Sequence, residues 1–431
     1  MKTDHTISAA PSGIVADDLT GATDSAVQFA SDGWNTSVSL TMPDVGTARH
    51  GAVVAVLSDA RALPAVAARM ASALAVTGLR DSGVENIFLK IDSTMRGSVA
   101  HQIAGALESW RTVHPDAVAV VCPSYPAMGR IVVDGHLLVY GKQVQSTAIG
   151  IDPVTPVLTS DLRELIPESV CVQLASVSPA ENAKILETAF AAGPQIVVVD
   201  ASTDAEVALL AETIHELGPR AIPVGAGGLA VAMARVWSTE LSSDSQPMPR
   251  ADRVVVVVSS LHEVSRDQTE KLVAETAAGR ICILQPRLED ALSPATISSW
   301  IAQELPSGTH LPEIIVVSSP AERPETGGGI GPSASELIAE SLATITAAVF
   351  DAGSVDAAVL VGGEGARSVL ERLGAESLLI RYAIREGVPI GLIDGGRADG
   401  TTVVTKAGGF GEPSSILDIV SELLDARGNN E

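Results

Sequence analysis

A chain of 431 residues with a formal net charge of -24 is longer than one ordinary domain of roughly 100–200 residues, so two or three domains are expected. The charge excludes a nucleic-acid binder, which needs a basic field to displace counterions, and it disfavours anionic membrane surfaces. The composition is 46% hydrophobic but only 3% aromatic, so the cores must be built from Ala, Val, Leu and Ile, which favours buried parallel strands under Ala-rich helices.

Short Val/Ile-rich runs alternate with Ala-rich amphipathic segments along the whole chain, the pattern of an α/β fold with parallel sheets. Strands are predicted near 14–16, 52–57, 87–90 and 117–122, with helices near 22–31, 63–77 and 99–110. Residues 131–145 are broken by Asp134-Gly135 and Tyr140-Gly141 and read as a β-hairpin excursion from the sheet. Further strands fall near 171–174, 196–199 and 221–224. Segment 238–252 is polar, carries two prolines and lacks periodicity, which marks a linker between domains 1–240 and 253–431. Five consecutive valines at 254–258 then open a new sheet. Its later strands are predicted near 281–284, 314–317, 357–361, 390–393 and 403–404, with a closing helix over 415–426. The glycine-rich patch at 326–331 is read as a mobile loop. The fold expected is therefore α/β in two domains, each a mainly parallel sheet flanked by helices.

Cys122, Cys171 and Cys282 lie far apart without CxxC spacing, so buried free thiols are expected rather than disulfides or zinc. The first residues carry an acid and lack an apolar core, and no apolar run reaches the ~20 residues that span a bilayer. A cytoplasmic location is expected.

Three polar clusters sit at predicted strand ends, where open α/β sheets bind ligands. Asp17, Asp18 and Thr20 follow the first strand; the carboxylates suit a hydroxylated substrate and proton transfer, or, more plainly, a helix cap. Lys90, Asp92, Ser93, Thr94, Arg96 and Gly97 end another, and Arg96 is suited to gripping a carboxylate with both arms of its fork. Arg130 closes a Pro-rich turn after a fourth strand. The three clusters are expected to converge on one crevice. In the second half, Ser259-Ser260, Gly362-Gly363-Glu364-Gly365 and Lys406-Ala407-Gly408-Gly409 follow strands as turns whose backbone N–H groups can approach phosphate. Neither GxxxxGK[ST] nor GxGxxG followed by an acid occurs in the expected setting, which argues against a Walker-type NTPase and a plain dinucleotide site. His262 beside these turns reads as a hydrogen-bonded bystander, and no histidine spacing suggests a transition metal.

In order, ADDLTGATD, KIDSTMRGS, PSYPAMGR and VGAGGLA, then VVVSS, VGGEG and TKAGGFG, resemble the four-carbon acid sugar kinase family over nearly the whole chain. The resemblance implies phosphorylation of a terminal hydroxyl of threonate, erythronate or a 3-oxo-tetronate, with ATP and Mg²⁺ and an active site in the interdomain cleft. It places the acid on Asp17, Asp18, Thr20, Lys90, Asp92, Ser93, Thr94, Arg96, Gly97 and Arg130, with proton transfer by Asp17, Asp18 or Asp92. It places ATP on Ser260, Gly362, Gly363, Glu364, Gly408 and Gly409, and the same turns include Gly365 and Lys406. Three positions depart from the family pattern: Ser259 stands for Gly, Gly365 for Thr and Ala407 for Pro. The alternative expectations are a sugar-acid sensor with a degenerate nucleotide domain and, less favoured, a nicotinamide oxidoreductase. The partners implied are a small anionic sugar acid and ATP, with no nucleic acid and no membrane. The oligomeric state is left open, though sheet-rich architectures of this kind often form homodimers.

Overall fold

The computed structural model describes residues 9–152, 154–238, 250–305, 311–322 and 333–425. The chain divides into two compact units, residues 1–244 and 245–431. Most of the linker segment, the patch at 326–331 and the last residue of the closing helix lie outside the described residues.

Unit 1 contains β1 (Ser12–Ala16), β2 (Asn35–Ser39), β3 (Ala52–Leu57), β4 (Asn86–Lys90), β5 (Val118–Cys122), β6 (Arg130–Val133), β7 (His136–Val139), β8 (Lys142–Gln143), β9 (Ser169–Val172), β10 (Ile196–Val199) and β11 (Ala221–Gly225). Eight of them form a parallel sheet in the order β2-β3-β1-β4-β11-β5-β10-β9. Central strands such as β1 and β5 are buried along their whole length, as expected when helices cover both faces of a parallel sheet. The helix Ala65–Ser82 shows how little bulk this needs: it buries Ala68, Ser72, Ala75, Val76 and Leu79, then stops at Gly83, whose φ of 99° only glycine adopts freely.

Within this sheet the chain leaves β1 toward β3 and β2, whereas it leaves β4 for β11 and β5. The ends of β1 and β4 therefore flank a topological switch point, where diverging loops open a crevice.

Unit 2 contains β12 (Val254–Val258), β13 (Ile281–Leu284), β14 (Ile314–Ser318), β15 (Ala357–Val361), β16 (Ser377–Arg385), β17 (Val388–Asp394) and β18 (Thr402–Lys406). The order β13-β14-β12-β15-β18 is parallel, and β17 and β16 continue it antiparallel. All five valines of β12 are buried, each contributing roughly 1.5–3 kcal/mol relative to exposure. The chain leaves β12 toward β14 and β13 but passes from β15 to the β18 side, so a second switch point lies between β12 and β15.

The structure extends or corrects the sequence reading at four places. The excursion over 131–145 holds the expected hairpin, β6-β7, and extends it by β8 into a separate three-stranded antiparallel sheet. The segment over 390–393 belongs to an antiparallel strand whose partner, β16, the alternation did not signal. β2 was also unforeseen: Asn-Thr-Ser-Val-Ser is mostly polar, and only Thr36 and Val38 are buried. Of the three free cysteines, Cys122 is buried but Cys171 and Cys282 are only half-buried. Among the described residues no helix is long and apolar enough to cross a membrane.

Candidate active site

The first turn after β1 carries Asp17 and Asp18 into the crevice. Asp18 takes extended backbone and caps the helix Leu19–Ser31, its Oδ1 accepting from Gly21 N at 2.6 Å. The capping role is therefore real, and it leaves Oδ2 for other work. That oxygen meets Arg61 Nη1 at 2.5 Å. Arg61 also donates to both oxygens of Asp17, Nη2 to Oδ1 at 2.7 Å and Nε to Oδ2 at 3.1 Å. Its Nη2 reaches to 3.9 Å from Asp92 at the end of β4. One guanidinium thus ties the two acidic turns together.

The turn after β4 is organised around Asp92. Its carboxylate accepts from Thr94 N at 3.1 Å, from the Thr94 hydroxyl, and from Arg96 Nε and Nη2 at 3.1 and 2.9 Å. The two-armed edge of Arg96, expected to meet a substrate carboxylate, is engaged by Asp92, while its Nη1 lies a longer 3.4 Å from Asp152. Gly97 has φ of 88°, and a Cβ there would stand 2.5 Å from the Arg61 carbonyl oxygen, so the bare backbone lets the Arg61 loop lie against this turn. Lys90 is buried, donates to Ile91 O at 3.3 Å and lies 4.0 Å from Asp24. Thr20, in the first turn of the capped helix, and Ser93 are half-buried.

Burial and pairing set the charges apart. Burial pushes the Asp17 carboxyl up, with the neighbouring Asp18 charge adding to it and Arg61 opposing. Burial alone would raise Asp92 as well, but Arg61, Arg96 and the Arg96 and Thr94 hydrogen bonds hold it well below the usual carboxylate range. Burial acts to lower Arg61, and the three carboxylates more than offset it, so its guanidinium stays charged. Side-chain exposure separates the carboxylates too: Asp17 has 0%, Asp92 10% and Asp18 25%.

The third cluster is placed differently. β11 stands between β4 and β5, so the Pro-rich turn is not at the neighbouring strand end. Its Tyr125 nevertheless approaches the first cluster, because a Cβ on Gly227 would meet Tyr125 at 2.7 Å and Asp24 at 3.0 Å. Arg130 turns to its own sheet: it donates to Met128 O, approaches the Tyr140 hydroxyl at 3.3 Å, and stacks 5.2 Å from the Tyr140 ring centroid.

In unit 2 the three glycine-bearing turns follow β12, β15 and β18. Gly362, with φ of 103°, is the N-cap of the helix Gly363–Leu373, and its N–H donates to Lys406 O at 3.0 Å. Gly363 and Glu364 form the first turn of that helix, with Glu364 exposed, and Gly365 faces Ser259. Gly408 leaves no room for a Cβ beside the Ser260 hydroxyl, and Ser265 Oγ donates to Gly408 O at 2.5 Å. Gly409 lies against the ring of His262, whose Nδ1 accepts from Val264 N at 3.2 Å as a helix cap. Lys406 is 1% exposed and donates to Ala407 O at 3.0 Å. Burial pushes its ammonium down to about 8. N–H groups at a helix start, a lysine and several hydroxyls are the kinds of group that can receive polyphosphate oxygens.

Comparison with known proteins agrees with both halves. Residues 12–233 match the family model described as a sugar-binding N-terminal domain, and residues 255–416 match a nucleotide-binding C-terminal domain. A Bordetella bronchiseptica protein named D-threonate kinase is 36% identical over 96% of this chain and 98% of its own length. A Cupriavidus necator 3-oxo-tetronate kinase is 26% identical, with 95% of this chain and 96% of that protein covered. The chain belongs to the four-carbon acid sugar kinase family. Membership makes it a sugar-acid kinase that uses ATP and leaves the particular acid to be assigned. The crystal structure of a Haemophilus influenzae protein, 22% identical, shares the fold with a TM-score of 0.69 over 96% of this chain and all of that one.

For a kinase of this family, the residue that sequence reading missed is Arg61. It stands 44 positions from Asp17 in Ser-Asp-Ala-Arg, outside the polar clusters the sequence singles out. A signal was nonetheless present: the acidic clusters needed a buried cation, and Arg61 follows the end of β3, next to β1. Asp24, at the end of ADDLTGATD, and Asp152, at the head of DPVTP, stood inside motifs of the resemblance but were assigned no role.

Proposed function

We propose that residues 1–240 hold a four-carbon sugar acid and residues 253–431 hold ATP, and that the chain transfers the γ-phosphoryl group to the acid's terminal hydroxyl. D-threonate is the first acid to test, being the substrate named for the relative that is 36% identical; erythronate and 3-oxo-tetronates follow. The observation that carries the reading is the set of three carboxylates locked by Arg61 at the β1/β4 switch point.

Within that set we assign the roles by exposure. Asp17 is fully enclosed and both its oxygens face Arg61, so it positions the guanidinium. Asp92 is held ionised and anchors Arg96. Asp18 keeps 25% exposure, and its carboxylate is the one that meets the attacking hydroxyl and takes its proton. The substrate carboxylate approaches Arg96 at Nη1, where only the longer contact to Asp152 must give way. Ser93 in this turn and Thr20 in the first turn of the capped helix offer half-buried hydroxyls. Arg130, turned to Tyr140, contributes through the wall of its sheet.

Phosphoryl transfer asks for positioning and charge neutralisation more than covalent chemistry. The oxygen-bearing Ser259, Ser260 and Glu364 would hold Mg²⁺ arriving with ATP, which needs few protein ligands and would supply positive charge to the phosphates. The helix start at Gly362–Gly363 and Lys406 hold the phosphates, and the Gly408-Gly409 turn leaves backbone free to approach. A cytoplasmic setting fits the need for ATP. The test is ADP release with Mg-ATP across a panel of aldonic acids, beside calorimetry with each ligand alone. ADP release confined to four-carbon acids is expected. Acid binding without ATP binding or turnover would replace the kinase by a sensor.

A further inference from the structure

Two of the departures noted in the sequence, Ser259 and Gly365, meet in the structure. Ser259 ends β12 and Gly365 sits in the first turn of the helix after β15, 106 positions apart by their numbers. A Cβ built on Gly365 would overlap both the Cβ and the Oγ of Ser259, and one built on Gly362 would stand 2.5 Å from the same Oγ. The space between the two turns therefore accommodates a single side chain. It is filled from the strand side. The Ser259 hydroxyl donates to Val361 O at 3.1 Å, which leaves its lone pairs for a cation, while its proton must turn from Val361 O to donate to a phosphate oxygen. Ser259 and Gly365 line one small pocket with Ser319, Glu364 and the apolar Leu261 and Ile338.

We propose that Ser259 and Gly365 are a compensating pair: Ser259 supplies the hydroxyl that contacts the phosphate end of the bound nucleoside triphosphate and its divalent cation, and Gly365 is bare to admit it. The inference rests on the assignment of unit 2 to ATP. It makes the site complete, with its hydroxyl delivered from the opposite wall, rather than degenerate. Ser259 touches the nucleotide in this account, whereas Gly365 acts only by making room.

Four variants separate room from hydroxyl. Ser259→Gly keeps the room and removes the hydroxyl. Gly365→Thr forces an overlap. Ser259→Gly with Gly365→Thr returns one hydroxyl from the helix side, and Gly365 is helical without positive φ, so threonine fits its backbone. Ser259→Gly with Gly365→Ala fills the room without a hydroxyl. Expected are a loss of about 10-fold or more in kcat/KM for Mg-ATP in each single variant, recovery to within about 3-fold of the parent in the threonine double variant, and no recovery in the alanine double variant. Melting temperature is read alongside. It should fall in Gly365→Thr alone and recover in both doubles, because overlap, not chemistry, sets it.

Equal kcat/KM in the two double variants would overturn the proposal and reduce the pair to packing. So would additive losses in the threonine double variant, or an unaffected Ser259→Gly. If the parent chain binds no Mg-ATP at all, the assignment of unit 2 fails instead, and the melting series still reports whether the two positions share one space.

Discussion

Replacing Arg61 with alanine removes the only group that contacts all three carboxylates of the acidic site among the described residues. Asp17 is 1% exposed and receives two hydrogen bonds from Arg61. Removing one partner of a buried ion pair costs about 3–5 kcal/mol, because the other charge stays buried and uncompensated. Arg61 keeps 20% side-chain exposure, so solvent takes up part of the loss and the lower end, about 3 kcal/mol, is expected. At about 2–4 °C per kcal/mol for a unit of this size, Tm should fall by roughly 6–12 °C near neutral pH.

The cause has a second signature. The Asp17 carboxyl already lies above its ordinary 3.8 because of burial, with Arg61 opposing. Without Arg61 it rises further, and a carboxyl raised in the folded state stabilises folding as pH falls toward the unfolded value. The Tm gap between parent and Arg61→Ala should therefore narrow from pH 8 to pH 5. Asp92 does not confuse this window: its carboxyl is depressed, so its contribution is intact above the ordinary 3.8 and is lost only below it. Thermal melts at pH 5, 6.5 and 8 read the effect. A gap that stays constant or widens on acidification would refute the assignment of the loss to an uncompensated Asp17.

Gly97→Ala should act on the same centre from the backbone side. Its φ of 88° and the 2.5 Å approach of a Cβ to Arg61 O predict a destabilisation of about 1–3 kcal/mol, with a Tm recovered in neither acid nor base; a melting curve identical to the parent would contradict it. Asp18→Asn should lower kcat/KM for the acid by ~100-fold, equivalent to about 2.7 kcal/mol, with steady-state assays as the check and near-parental activity as the contrary result. Burial holds the Lys406 ammonium at about 8, and polyphosphate beside it should pull that value up. Mg-ATP binding at pH 8.5 should accordingly take up protons, measured by calorimetry in two buffers of different ionisation enthalpy. Proton release or no exchange would remove Lys406 from the phosphate site.

The alternation of Val-rich runs with Ala-rich helices was legible because buried parallel strands leave an uninterrupted apolar signature, as in the valines of β12. β2 was not legible, since its polar letters look like a loop when read alone; β16, SLLIRYAIR, is apolar enough for a strand, but it pairs antiparallel with β17 without the helix that the alternation expects between strands. The polar clusters of the candidate site stood out because each gathers its chemistry within a few positions. Their partners did not. Arg61 reaches Asp17 across 44 positions and Ser259 reaches Gly365 across the β12/β15 switch, and such pairings arise from strand order, which local spacing does not encode. The same cause explains Arg96: its fork was free on paper and is held by Asp92 in the fold.

The central claim is that oxygen on a four-carbon acid attacks the γ-phosphorus of ATP. Phosphorus NMR of the chain incubated with Mg-ATP and D-threonate tests it most directly. A new phosphomonoester resonance, split into a triplet by the two protons of a terminal CH₂, is the predicted result. A doublet would move the transfer to a secondary hydroxyl, and inorganic phosphate alone, or unchanged ATP across the four-carbon panel, would contradict the account.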